Sequence, residues 1–83
     1  MGCDNQVHKI IDALRHYLKI LQDLGWFVAD AHKANRSVIE ASLEVIAEKC
    51  GALEVSVYGD GHEYRIYFRI HEEGIMHTKQ FRF

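Results

Sequence analysis

The last third of the chain, residues 52–83, alternates apolar and polar side chains, and this pattern constrains the fold more than any other feature. A period of two is typical of strands in a sheet with one buried face. Two turn signals, Asp60-Gly61 and Glu73-Gly74, divide the stretch into three segments. The sequence therefore predicts a three-stranded antiparallel meander whose two faces differ in chemistry.

A two-residue turn at Asp60-Gly61 fixes the predicted register of the first hairpin. A slip of one residue would turn every apolar side chain outward, so the pattern specifies the faces strongly. The predicted pairs on the apolar face are Val57 with Tyr64, Val55 with Ile66, and Leu53 with Phe68. Those on the outer face are Tyr58 with Glu63, Ser56 with Arg65, and Glu54 with Tyr67.

The second hairpin is predicted to turn at Glu73-Gly74. A three-residue loop would move Gln80 and Arg82 to the core side, which is unfavourable for polar side chains. The predicted apolar-face pairs are Tyr64 with Phe83, Ile66 with Phe81, Phe68 with Lys79, and Ile70 with His77. The outer-face pairs are Arg65 with Arg82, Tyr67 with Gln80, and Arg69 with Thr78.

Two amphipathic helices are predicted before the strands. In residues 4–24 the apolar side chains recur every three or four positions, and Gly25 ends that pattern. Asp4 or Asn5 is a candidate N-cap. These apolar positions are Val7, Ile10, Ile11, Leu14, Tyr17, Leu18, Leu21 and Leu24.

The start of the second helix is open between two alternatives. Ser37 and Glu40 have the spacing of a capping box, which would leave residues 26–36 as a connector or place a kink near Asn35. A longer stripe favours one helix from about residue 27 to residue 50, closed by Gly51. That stripe consists of Val28, Ala31, Asn35, Val38, Ser42 and Val45.

Together the elements predict a single α+β domain over residues 1–83. Its two N-terminal helices would pack on the apolar face of the meander, in an ααβββ two-layer sandwich. With 83 residues, such a chain builds only a thin core.

The outer face of the sheet is the candidate partner-binding surface. Tyrosine and arginine are the usual anchors of protein interfaces, and the same side chains suit phosphate contact and base stacking. They also suit a solvated strand, which is the third alternative. The candidate residues, called the Arg/Tyr face below, are Tyr58, Arg65, Tyr67, Arg69, Gln80 and Arg82.

The formal net charge of −2 favours a protein partner over nucleic acid for this face. We therefore expect a non-enzymatic protein-binding module, an inhibitor or adaptor of the size that phages and mobile elements encode against host defence complexes. A nucleic-acid-binding or regulatory protein using the same face is the alternative.

A metal- or thiol-dependent enzyme is the third hypothesis, and the sequence offers it little. His8 and His16 share a helix face but lie about 12 Å apart, too far to ligate one ion. Cys50 stands at the predicted end of a helix, where the helix dipole disfavours a thiolate. We expect no catalytic residue, metal or cofactor.

Self-association and location can also be predicted. The first helix is apolar over a wide arc, so either a second copy of the chain covers it or the second helix and the Trp26-Phe27 segment do. A sheet edge is another route to a homodimer. Two cysteines without a disulfide framework, no secretory leader and no long apolar run favour a cytoplasmic protein without membrane contact.

Overall fold

The computed structural model describes residues 3–59 and 63–83, with side chains from residue 6 onward. It has the predicted ααβββ order, with both helices on one face of a three-stranded antiparallel sheet of order β1-β2-β3. The elements are α1 Cys3–Asp23, α2 Ala29–Lys49, β1 Leu53–Gly59, β2 Tyr64–Glu72 and β3 Ile75–Arg82. None of the helices in this part of the chain has the length and apolar character needed to cross a membrane.

Both helices end in the same hydrogen-bonded motif. After α1, the Trp26 amide donates to Leu21 (3.0 Å), and after α2 the Ala52 amide donates to Ala47 (3.0 Å). Gly25 and Gly51 directly precede these two amides and have φ of 81° and 100°. A residue with a side chain would be strained at such positive φ angles. The glycines therefore stop both helices where the sequence predicts.

The long second helix is confirmed, and its start lies within two residues of the predicted one. The alternative start at Ser37 is wrong, because Val28 is the N-cap and Ser37 lies inside the helix. The stripe that indicated one continuous helix lies beside the core: Val38 and Val45 are about half exposed (51% and 50%). The buried stripe is instead His32, Ile39, Leu43 and Ala47.

The N-cap prediction for α1 is also wrong, because the helix begins at Cys3 and so includes Asp4 and Asn5. The apolar arc of α1 is mostly covered within the chain. Its buried residues are Ile10, Leu14, Leu18 and Leu21, and Trp26 and Phe27 pack against the same core.

The second hairpin has the predicted register at every pair. Glu73 and Gly74 both have positive φ, 54° and 80°, as a two-residue type I′ turn requires. Glu72 and Ile75 are the last pair before this turn, and the ladder runs without interruption to Arg65 opposite Arg82. The Tyr64 and Phe83 backbones then exchange both hydrogen bonds, at 3.2 and 2.9 Å.

The first hairpin has a register two residues away from the predicted one. Gly59 pairs with Tyr64 and Val57 with Ile66, so residues 60–63 separate the strands instead of two turn residues. The predicted turn at Asp60-Gly61 itself lies outside the described residues. A shift of two keeps each side chain on its face, so Val55 and Val57 still pack against the core.

A β-bulge in β1 overturns the prediction that Leu53 is a core residue. The register shifts between Leu53 and Ser56, and Glu54 has φ of 49°. Leu53 therefore pairs with Arg69 and is 42% exposed. An extra residue in one strand bends it and re-aims the side chains beyond.

The core lies between the sheet and the helices. The middle strand contributes every second side chain, Tyr64, Ile66, Phe68 and Ile70, all at most 3% exposed. At one end of the core, Phe27 contacts the rings of His32, Tyr64 and Phe83, with centroids 5.5 to 6.1 Å apart. Phe81 is a core residue and the half-buried Phe83 packs against the core, as the sequence favoured.

One polar contact lies inside this aromatic cluster. His32 Nε2 and the Tyr64 hydroxyl are 2.5 Å apart and share a buried hydrogen bond whose donor depends on the imidazole tautomer. His32 is 8% exposed and Tyr64 is 3% exposed, so water replaces neither partner readily. The bond therefore ties α2 to β2.

Replacing Tyr64 by phenylalanine is expected to lower the free energy of unfolding by about 1–3 kcal/mol, because the His32 imidazole would remain buried without its partner. Tyr58→Phe is the matched control, since Tyr58 is 58% exposed and should change stability by less than about 0.5 kcal/mol. Urea unfolding measures both. Equal losses in the two variants would contradict a stabilising role for the buried bond.

The pKa of the Tyr64 phenol is raised above its ordinary value of 10.0, first by burial and second by the nearby Glu40 carboxylate. The unfolded chain therefore loses this proton first, and the stability that depends on the neutral phenol is complete below pH 10.0 and lost as pH rises through the folded pKa. We expect the urea midpoint to fall over that range, and to fall less in Tyr64→Phe. An identical decline in both proteins would contradict this assignment.

Candidate partner-binding face

The sheet brings all six predicted residues to its outer face. Across the three strands, Tyr58, Arg65 and Arg82 form one row, and Ser56, Tyr67 and Gln80 form the next. Arg69, between Leu53 and Thr78, belongs to a third row. Tyr58, Gln80 and Arg82 are exposed, whereas the three β2 residues are half-buried between their neighbours.

Two of the three arginines on the Arg/Tyr face have carboxylate partners. Arg69 Nη1 lies 2.6 Å from Glu54 Oε2, and Arg65 Nε lies 3.3 Å from Glu63 Oε1. The β1 bulge brings Glu54 beside Arg69, whereas the predicted register paired it with Tyr67. The predicted pairing of Glu63 with Tyr58 is likewise replaced by the ion pair with Arg65.

Arg82 is the cation of the face that has no carboxylate partner among the described residues. It lies directly opposite Arg65, and like charges at directly opposed positions destabilise a sheet slightly. The Arg65–Arg82 pair therefore favours an anion placed between or beside the two guanidinium groups.

Tyr58 and Tyr67 supply the apolar part of the face. Their rings meet edge to face, with centroids 5.8 Å apart and planes inclined by 72°. Together with Arg65 they line an open depression of about 390 Å³. A paired, partly buried aromatic platform loses little side-chain entropy when another protein covers it.

One nitrogen of Arg69 lacks a hydrogen bond within residues 3–59 and 63–83. Its Nε is buried without a hydrogen-bond partner among the described residues, although Nη1 bonds Glu54. Through Nη1, Arg69 on β2 therefore also bonds the bulged part of β1 at Glu54. Sequence reasoning placed Arg69 correctly but missed this role, because no pattern in the sequence signals a bulge at a non-glycine residue.

Other candidate chemistry lies apart from the face. In the part of the chain that the structure describes, no group of three or more His, Cys, Asp or Glu side chains is placed to hold a metal ion. Cys50 is a free thiol at the C-cap of α2. Ile20 on α1 and Leu24, the residue after that helix, remain exposed, by 44% and 67%.

No protein-family model, curated protein or solved structure matches this chain. The geometry of the Arg/Tyr face is therefore the basis for the function proposed below.

Proposed function

We propose that the chain is a non-enzymatic protein-binding module that contacts its partner through the Arg/Tyr face. The narrower hypothesis, an inhibitor or adaptor acting on a host defence complex, is a prediction within this proposal. The observation that supports it best is the adjacency of the Tyr58–Tyr67 ring pair and the Arg65–Arg82 pair on one exposed sheet face.

These side chains combine the two features of a protein-binding anchor. The ring pair offers apolar area beside polar tips, and Tyr and Arg dominate the residues whose truncation weakens protein complexes. A partner that covers the rings would also desolvate Arg82, which lies in the same row as Tyr58 and Arg65. Solvent alone gives no reason for two arginines to oppose each other there.

The nucleic-acid alternative has less support. Glu54 and Glu63 neutralise Arg69 and Arg65, so the face carries a net charge near +1 on a chain of net charge −2. Proteins that bind nucleic acid through phosphates present several unpaired cations along a stripe. A steep loss of partner affinity with salt, or loss of the partner after nuclease treatment, would favour nucleic acid instead.

Affinity capture from cells of the organism that encodes the chain, read by mass spectrometry, tests the proposal. The informative bait is Arg65→Glu with Tyr67→Ala, which reverses a charge and removes a ring of the face. Its control is Lys33→Glu with Leu24→Ala, which reverses one charge and truncates one large apolar side chain at exposed positions away from the face.

We expect the wild type and the Lys33/Leu24 control to capture the same protein, and the Arg65/Tyr67 variant to lose it by at least about tenfold. Unfolding curves verify that both variants remain folded. Capture that survives the Arg65/Tyr67 changes but is lost with the Lys33/Leu24 changes would move the contact to the helices and overturn the proposal.

A further inference from the structure

Within residues 3–59 and 63–83, no strand pairs with the outer edge of β3, the last strand in the order β1-β2-β3. The Tyr64 and Phe83 backbones exchange both of their hydrogen bonds, and in an antiparallel ladder such pairs alternate with non-bonded ones. The odd-numbered residues of β3 therefore direct their backbone groups toward β2. The even-numbered residues, Met76, Thr78, Gln80 and Arg82, direct theirs away from the sheet.

The same alternation joins this edge to the Arg/Tyr face. Side chains of directly opposed strand residues lie on the same face of a sheet, so Thr78, Gln80 and Arg82 present both outward backbone groups and outer-face side chains. All three are exposed. A strand added at β3 would thus widen the Arg/Tyr face by one strand.

The opposite edge of the sheet is a poorer template. β1 is interrupted by the bulge between Leu53 and Ser56, with Glu54 at positive φ, and α2 packs against the strand. Bulges twist an edge away from incoming strands. The β3 ladder is regular over eight pairs by comparison.

Charge decides which kind of strand would fit. β3 contains Lys79 and Arg82 and no carboxylate, so pairing with β3 of a second copy would bring like charges together. Lys79 is on the core side, where it pairs with Glu72 at 3.2 Å, and two such inward lysines disfavour self-pairing further. An acidic residue opposite Arg82 would instead give that guanidinium a carboxylate within about 5 Å across the strands.

We propose that the partner supplies an extended acidic segment that adds to β3 as a fourth strand. The inference rests on the proposed function and names the chemistry of the partner. Backbone groups of Thr78, Gln80 and Arg82 pair with the segment, and Arg82 binds a carboxylate that it carries. This is recognition by strand addition, in which backbone bonds give affinity and alternate side chains give specificity.

Titration of the full chain with short blocked peptides tests the inference. The acidic probe is Ac-TVEVEV-NH2, the matched basic probe is Ac-TVKVKV-NH2, and a third probe carries proline at the central valine of the acidic one. We expect the amides of Thr78, Gln80 and Arg82 to shift in nuclear magnetic resonance spectra, and to gain exchange protection, with the acidic probe alone. Equal response to the basic probe, or none to any, would overturn it.

Two variants separate the backbone from the charge contribution. Gln80→Pro removes an outward N–H but no bond to β2, so the sheet should persist while acidic-probe affinity falls at least about tenfold. Arg82→Glu should reduce that affinity about tenfold and create binding of the basic probe, which the wild type lacks. Lys79→Pro is the matched control, since its amide bonds β2 and its loss should lower stability.

Partner capture by the Arg65/Tyr67 variant and by Gln80→Pro distinguishes the strand-addition proposal from the proposed function. A partner lost with Arg65→Glu and Tyr67→Ala but retained with Gln80→Pro would leave the face as the contact and reject strand addition. Capture that is unaffected in both variants would reject the proposed function as well. A concentration-dependent dimer abolished by Gln80→Pro would assign the edge to a second copy and overturn the acidic segment.

Discussion

Replacing Phe68 by alanine is expected to lower the free energy of unfolding by about 3–5 kcal/mol. Phe68 is fully buried at the middle of the central strand, so its ring contacts the helical layer from the centre of the sheet. A domain of this length has a total stability of roughly 4–12 kcal/mol, so one such loss consumes much of it. Circular dichroism with increasing urea measures the change.

The neighbouring residue gives the control for Phe68→Ala. Tyr67 lies on the outer face and is only half-buried, so Tyr67→Ala should cost about 1 kcal/mol or less. The two substitutions remove similar rings from opposite faces of one strand. A loss at Tyr67 as large as the loss at Phe68 would contradict the assignment of core and outer faces.

Replacing Arg82 by glutamate is expected to weaken partner binding at least about tenfold while stability stays constant or rises by about 0.2–1 kcal/mol. The reason is the register: Arg82 opposes Arg65, so the substitution converts a like-charge pair into an opposite-charge pair. Most surface substitutions change stability little, and few move binding and stability in opposite directions.

Arg82→Ala and Lys33→Glu accompany this measurement as controls. Arg82→Ala removes the repulsion without adding an attraction, so its stability should lie between those of the wild type and Arg82→Glu. Lys33 is an exposed helix residue, and reversing its charge should leave binding unchanged. If Arg82→Glu lowers stability and leaves capture intact, Arg82 serves the fold instead of a partner.

The sequence predicted the second hairpin at every pair. In the first hairpin it predicted the face of the paired residues, Leu53 excepted, but not the register. A type I′ turn at Glu73-Gly74 leaves no freedom in its register. Four residues instead separate Gly59 from Tyr64, and a shift of two residues preserves the alternation of faces. A period-two pattern therefore cannot distinguish the observed register from the predicted one.

Two further features could not be predicted, for related physical reasons. In α2, the Val38–Val45 stripe and the Ile39–Leu43–Ala47 stripe both recur at helical spacing, and only packing against the sheet selects the second. All six residues of the Arg/Tyr face could be predicted, because the alternation of side chains along each strand alone places them on the outer face. The Glu54–Arg69 pair was not, because it depends on a positive φ at Glu54.

Hydroxyl-radical footprinting of the chain bound to its captured partner is the most direct test of whether the Arg/Tyr face is the contact surface. Two pairs of reactive side chains are compared: Tyr58 and Tyr67 on the Arg/Tyr face, and Ile20 and Leu24 at the C-terminal end of α1. We predict that the partner protects both tyrosines from oxidation and leaves the α1 pair as reactive as in the free chain. Protection of Ile20 and Leu24, with unchanged oxidation of Tyr58 and Tyr67, would contradict the assignment of the Arg/Tyr face as the contact.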